Sequence, residues 1–109
     1  MVEGLKHKQF GLIGKNIEYS FSKSYFDKKF SKKTEYKNFK YENFDIESVS
    51  DVKNIFKQKN ISGLNVTIPY KEKIIPYLDK ITTNAKKIGA VNTLIFKDDE
   101  IIGENTDVI

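Results

Sequence analysis

Residues 61–71 read Ile61-Ser62-Gly63-Leu64-Asn65-Val66-Thr67-Ile68-Pro69-Tyr70-Lys71, an apolar stretch that runs into a proline and then a lysine. The apolar and β-branched residues from Ile61 to Thr67 predict a strand. Pro69 ends it, since proline has no N–H to give to a ladder. Two other apolar runs lead into loops in the same way. Gln9-Phe10-Gly11-Leu12-Ile13-Gly14 reads as a buried strand closed by glycine, and Ile101-Ile102 leads into Gly103-Glu104-Asn105-Thr106-Asp107. Gly89-Ala90-Val91-Asn92-Thr93 is a further small and polar run, overlapping a strand expected from Val91 to Phe96.

Helical spacing fills the intervals. Ser20 or Ser22 can cap a helix running to about Phe30, with Tyr25, Phe26 and Phe30 on one face. Tyr36 to Tyr41 alternates aromatic and polar residues, which predicts a second strand. Ser48 or Ser50 opens a helix carrying Val52, Ile55 and Phe56. The segment from Tyr70 to Leu78 is partly helical and interrupted by Pro76; a helix from about Lys80 to Lys87 stops at Gly89. Asp98-Asp99 turns the chain between the last two strands, which must then be antiparallel.

This alternation predicts an α/β fold, with residues 1–109 as one domain. The expected form is a three-layer sandwich: a mixed, mostly parallel sheet with helices on both faces. In open sheets of this kind ligands bind beyond the carboxyl ends of the strands. Gly14 to Ser22 and Thr67 to Lys71 should therefore share one edge.

Composition excludes several functions. The 109 residues are 39% hydrophobic and 31% charged, the balance of a soluble globular chain. Cysteine is absent, which rules out disulfides and thiolate-bound metals, and His7 alone cannot build a histidine metal site. No apolar run nears the roughly 20 residues that span a bilayer. The N-terminus lacks the apolar core of a secretory signal, so a cytoplasmic location is expected. The net charge of +4 is carried by lysines scattered among acids. Arginine, which grips phosphate and reads guanine through two parallel bonds, does not occur. That pattern argues against specific nucleic-acid recognition.

Two features carry chemistry. Lys71 is expected to begin a helix, where its charge opposes the dipole, a poor place for a purely structural lysine. An ammonium can stabilise negative charge growing on a carbonyl oxygen and donate a proton to it. Ser20 and Ser22, at an expected helix start with free amide donors, suit an anion.

Taken in order, four blocks resemble shikimate dehydrogenase and cover nearly the whole chain. They are Gly11-Leu12-Ile13-Gly14 with Tyr19-Ser20-Phe21-Ser22, then Asn65-Val66-Thr67-Ile68-Pro69-Tyr70-Lys71, then Gly89-Ala90-Val91-Asn92-Thr93, then Asn105-Thr106-Asp107. The resemblance implies reduction of 3-dehydroshikimate to shikimate with NADPH. It implies a catalytic pair, Lys71 as acid and base with Asp107 orienting it and accepting from a substrate hydroxyl. It implies that Ser20 and Ser22 bind the substrate carboxylate, and that Thr67, Asn92 and Asn65 bond the ring hydroxyls.

In that family a Rossmann domain holding NADP follows the substrate domain, and this chain stops at Asp107-Val108-Ile109, where the passage between them falls. No glycine-rich dinucleotide fingerprint is found in these residues, so the 109 residues alone are expected to be inactive. Helices from the far end of the family's chain pack on the substrate domain; without them, self-association or a homodimer is expected. Tyr19 and Lys23 stand where the family often has histidine and proline, and Lys23 adds a positive charge near the proposed carboxylate site. Two further readings stay open: a related dehydrogenase acting on quinate, and a module that binds a small molecule or polyanion without chemistry.

Overall fold

Leu12 and Ile13 are neighbours in one strand and belong to two different cores. That strand is β1 (Lys8–Gly14), and a computed structural model of the chain describes residues 8–18, 21–32, 38–58 and 60–106. The other strands are β2 (Phe39–Asp45), β3 (Ile61–Val66), β4 (Lys80–Ile81), β5 (Thr93–Lys97) and β6 (Glu100–Glu104). They form a six-stranded sheet in the order β2-β1-β3-β5-β6-β4. β1 pairs in parallel with β2 and β3, and β4 in parallel with β6. β5 runs antiparallel to both its neighbours. The sheet is mixed and mostly parallel, as expected.

The helices are α1 (Phe21–Ser31), α2 (Val52–Phe56) and α3 (Thr83–Ile88). A strand turns alternate side chains to opposite faces. Leu12 is accordingly buried with Ile17 and Tyr41 against Phe26 and Phe30 of α1. Ile13 lies on the other face with Val52 and Ile55 of α2, Ala85 of α3, and Leu64 and Leu94 of the sheet. Helices cover both faces, which makes the three layers. Complete burial of a side chain such as Ile13 or Leu94 stabilises by about 1.5–3 kcal/mol before entropy is counted.

Several boundaries differ from expectation. β2 runs Phe39–Asp45, later than the segment Tyr36 to Tyr41; Phe44 reaches the α2 and α3 core and extends the pairing. Residues 33–37 lie outside the described residues. Ser22 falls inside the first turn of α1 and not at its cap. Tyr25 is 60% exposed, so only Phe26 and Phe30 of the expected face pack inward. Val49–Asp51 is a 3-10 turn leading into α2.

Lys80-Ile81, expected to be helical, is strand β4, paired Lys80↔Ile102 and Ile81↔Gly103. Thr82 then caps α3 by accepting from Ala85 N at 3.2 Å, and Gly89 ends it at φ 82°. The closing hairpin turns at Asp98 and Asp99, both left-handed, at φ 52° and 63°. Among the described residues no helix is long and apolar enough to cross a membrane.

Candidate functional site

β1, β3 and β6 point the same way, so the loops after Gly14, Val66 and Glu104 leave from one edge of the sheet. β5 runs the other way and begins there. Main-chain bonds continue beyond the ladders and tie these loops together. Thr67 N donates to Ile13 O at 2.9 Å, Val66 N to Asn92 O at 2.8 Å, and Asn92 N to Glu104 O at 3.0 Å. Val91 N donates to Lys71 O at 2.8 Å. Thr67, Lys71 and Asn92 are thereby gathered from two loops that lie far apart in sequence.

Lys71 does not begin a helix. Residues 71–74 form turns that precede the 3-10 turn Ile75–Tyr77, so its charge, contrary to expectation, opposes no helix dipole. The loop is fixed from below by Tyr70, which is buried and donates its hydroxyl to Ile46 O at 2.5 Å. Burial pushes the Tyr70 phenol above its ordinary value of 10.0, with Lys15 pulling the other way. The Ile68–Pro69 peptide just before it is cis. Lys71 is half-buried, and among the described residues its ammonium has no ion-pair partner.

Asn92 is held by its neighbours. Its Oδ1 accepts from Thr93 Oγ1 at 3.0 Å and Thr106 N at 3.0 Å, and its Nδ2 donates to Thr106 Oγ1 at 3.0 Å. Behind it stands Asn105, 3% exposed, whose Nδ2 donates to Ala90 O at 3.0 Å. Asn105 O accepts from Asn84 of α3 at 2.7 Å. Glu104 Oε1 accepts from both Thr82 Oγ1 and Asn105 N, at 2.7 and 2.9 Å. Thr106 and Asn105 thus clamp the end of β6 to the loop that carries Asn92. Both stand in the Asn105-Thr106-Asp107 block read from the sequence, where neither is assigned a role. The available signal was a pair of short polar side chains at a strand end, the kind that bond nearby main chain.

The loop after β1 has its own brace. Asn16 takes the left-handed φ of 59°, and Asp45 at the end of β2 accepts from Asn16 N at 3.0 Å and Ile17 N at 3.1 Å. Ser20, Asp107 and Tyr19 lie outside the described residues, as does the side chain of Ser22. Lys23 is not a loose charge near the loop: it pairs with Asp27 at 2.9 Å and donates to Tyr41 O at 3.2 Å. Asn65 lies on the α1 side of β3 and donates to Tyr41 Oη at 3.1 Å.

The described residues do not fit a dinucleotide of their own. A phosphate cradle needs open main chain at the first loop. A Cβ at Gly14 would meet Ile17 Cγ2 and Thr67 Cγ2 at 2.7 Å, and one at Gly11 would meet Glu42 O at 2.6 Å. These glycines serve close packing. What the edge offers is an ammonium, hydroxyls and amides, which suit a small molecule rich in oxygen.

A family described as the shikimate dehydrogenase substrate binding domain matches residues 12–94. A shikimate dehydrogenase (NADP(+)) of Staphylococcus epidermidis is 43% identical over 101 residues, which cover 93% of this chain and 38% of that protein. The crystal structure of shikimate dehydrogenase 1 from Peptoclostridium difficile superposes with a TM-score of 0.80 at 38% identity, over 91% of this chain and 38% of that one. A Listeria monocytogenes shikimate 5-dehydrogenase, solved in complex with shikimate and NAD, superposes at 0.79 and 32% identity, over 90% and 34%. The chain therefore spans about 38% of the length of the curated relative it matches.

Proposed function

Since the chain belongs to the family of shikimate dehydrogenase substrate-binding domains, we propose that residues 1–109 hold shikimate or 3-dehydroshikimate at the edge where β1, β3 and β6 end. The observation that carries this reading is the bond from Val91 N to Lys71 O, which keeps Lys71 beside the loop of Asn92. An ammonium next to an anchored amide suits a ketone that becomes a hydroxyl.

In the proposed reaction hydride adds to the carbonyl carbon of 3-dehydroshikimate, and negative charge grows on the oxygen. Lys71 Nζ stabilises that charge and gives its proton to the oxygen; in the reverse direction it takes the proton back. Asp107 pairs with Lys71, orients it and accepts from a substrate hydroxyl. Ser20 and Ser22 bind the carboxylate, and Thr67 and Asn92 bond ring hydroxyls. NADPH, the reduced form of the cofactor named for the curated relative, is the proposed source of hydride; it is held by residues other than these and leaves as NADP+. The 109 residues are then inactive with NADPH and 3-dehydroshikimate, because attack needs both partners bound. The setting is the cytoplasm, and the chain self-associates.

The test is a shikimate titration of isotope-labelled chain followed by two-dimensional amide NMR, beside Lys71→Ala and a parallel titration with quinate. Saturable shifts at Ser20, Ser22, Thr67 and Asn92 that weaken in Lys71→Ala are expected. Dispersed spectra that ignore shikimate and follow quinate would replace the substrate, and spectra that ignore both would remove the reading.

A further inference from the structure

Asn65 and Tyr41 bond to each other on the face of the sheet that α1 covers. Asn65 Nδ2 donates to Tyr41 Oη at 3.1 Å. Tyr41 cannot easily move: it is 3% exposed, its ring stacks on Phe26 of α1 with centroids 4.6 Å apart and planes 13° apart, and its carbonyl accepts from Lys23. An amide is planar, with its donor on one side and its acceptor on the other. Committing the nitrogen to Tyr41 turns the oxygen away from it, and Asn65 Oδ1 has no partner among the described residues. Asn65 is half-buried, two residues before Thr67, and opposite Thr93, whose hydroxyl holds Asn92.

We infer that Tyr41 is a positioning residue for specificity: it fixes the Asn65 amide as an acceptor, so that Asn65 reads a ligand hydroxyl and not a carbonyl oxygen. This rests on the ring-acid reading above and adds a division of labour to it. Reduction turns one ligand carbonyl into a hydroxyl and leaves the other hydroxyls unchanged. An acceptor can serve both forms of the ligand only at a hydroxyl that does not react, because a carbonyl has no proton to give. Lys71, a donor, suits the oxygen that does react. An acceptor aimed at a hydroxyl also discriminates, since an analogue without that hydroxyl leaves it unpaired.

The experiment measures the affinity of the chain for shikimate and for monodeoxy analogues that each lack one non-reacting hydroxyl, by NMR titration. Wild type should prefer shikimate to one of these analogues by about tenfold or more. Tyr41→Phe keeps the ring on Phe26 and should cut that preference by about three- to tenfold with dispersed spectra retained. Asn65→Ala should abolish the preference, and adding Tyr41→Phe to it should change nothing further. Equal weakening of shikimate and analogue by Tyr41→Phe overturns the proposal, as does an effect that persists undiminished in the Asn65→Ala background. If wild type ignores shikimate, the ring-acid reading is what fails. The Asn65 side-chain amide signals then decide the role of Tyr41: a shift on Tyr41→Phe is expected, and an unmoved resonance overturns it.

Discussion

The residues that hold the candidate site in shape are small and polar, and most act through main chain. Asn105 is the clearest case. It is buried at 3% exposure and its side chain satisfies Ala90 O. Asn105→Ala removes that partner inside the protein, and urea unfolding should show a loss of about 1–3 kcal/mol. Tyr70 allows a test by pH. Its phenol is raised by burial, so the fold favours the neutral form. The stability it contributes is fully present below its unfolded value and is lost as pH rises through the higher folded value. The difference in urea midpoint between wild type and Tyr70→Phe should accordingly hold steady to about pH 10 and shrink above it. A difference that grows with pH would contradict the buried neutral phenol. Lys71 and Asn92 were legible as residue types in suggestive runs; Asn105 and Thr106 gained their roles only from partners 14 and 15 residues away.

Elements defined by their own periodicity were easier to read than those defined by a neighbour. β1 and β3 stand out as apolar runs ended by glycine or proline, and the last hairpin by its paired aspartates. β4 is two residues long and exists because Ile102 and Gly103 lie beside it; nothing local distinguishes it from the first turn of α3. The short turns around Lys71 replaced an expected helix because Pro76 and the tether of Tyr70 to Ile46 set the path of that loop. Close packing of β1 on β2 is a property of this scale. A Cβ at Gly11 would meet Glu42 O at 2.6 Å and the Phe44 ring at 2.7 Å. Gly11→Ala must part the two strands and should cost about 1–3 kcal/mol, whereas Gly89→Ala meets nothing within 4 Å and bears only the strain of its left-handed φ, about 1–2 kcal/mol. Equilibrium unfolding measures each cost separately: both variants should be less stable than wild type, and a Gly11→Ala chain as stable as wild type would contradict the close approach of β1 and β2.

On the scale of the whole molecule, α1 packs over β1 and β2, and among the described residues part of that face of the sheet is left uncovered. A cleft of about 460 Å³ lies there, lined by Phe10, Phe30, Tyr41, Asn65 and Ile95 among others, and Ile95 is 41% exposed. Apolar surface of this kind drives association. Sedimentation should show a mass that rises with concentration and falls back in Ile95→Lys; a single-chain mass at every concentration would count against it. The sequence by itself determined the α/β class, the mixed sheet, the strands that end at the edge of the candidate site and the chemical groups available there. These follow from local periodicity, from proline and glycine, and from side-chain chemistry, all of which act within a few residues. Only the tertiary structure decided which strand pairs with which, that Lys71 rides on a turn, that Lys23 is paired, that Asn105 and Thr106 hold the loop of Asn92, and that Tyr41 bonds Asn65. Those outcomes depend on hydrogen bonds and packing between residues distant in the chain, and such contacts come into being only when the sheet has closed.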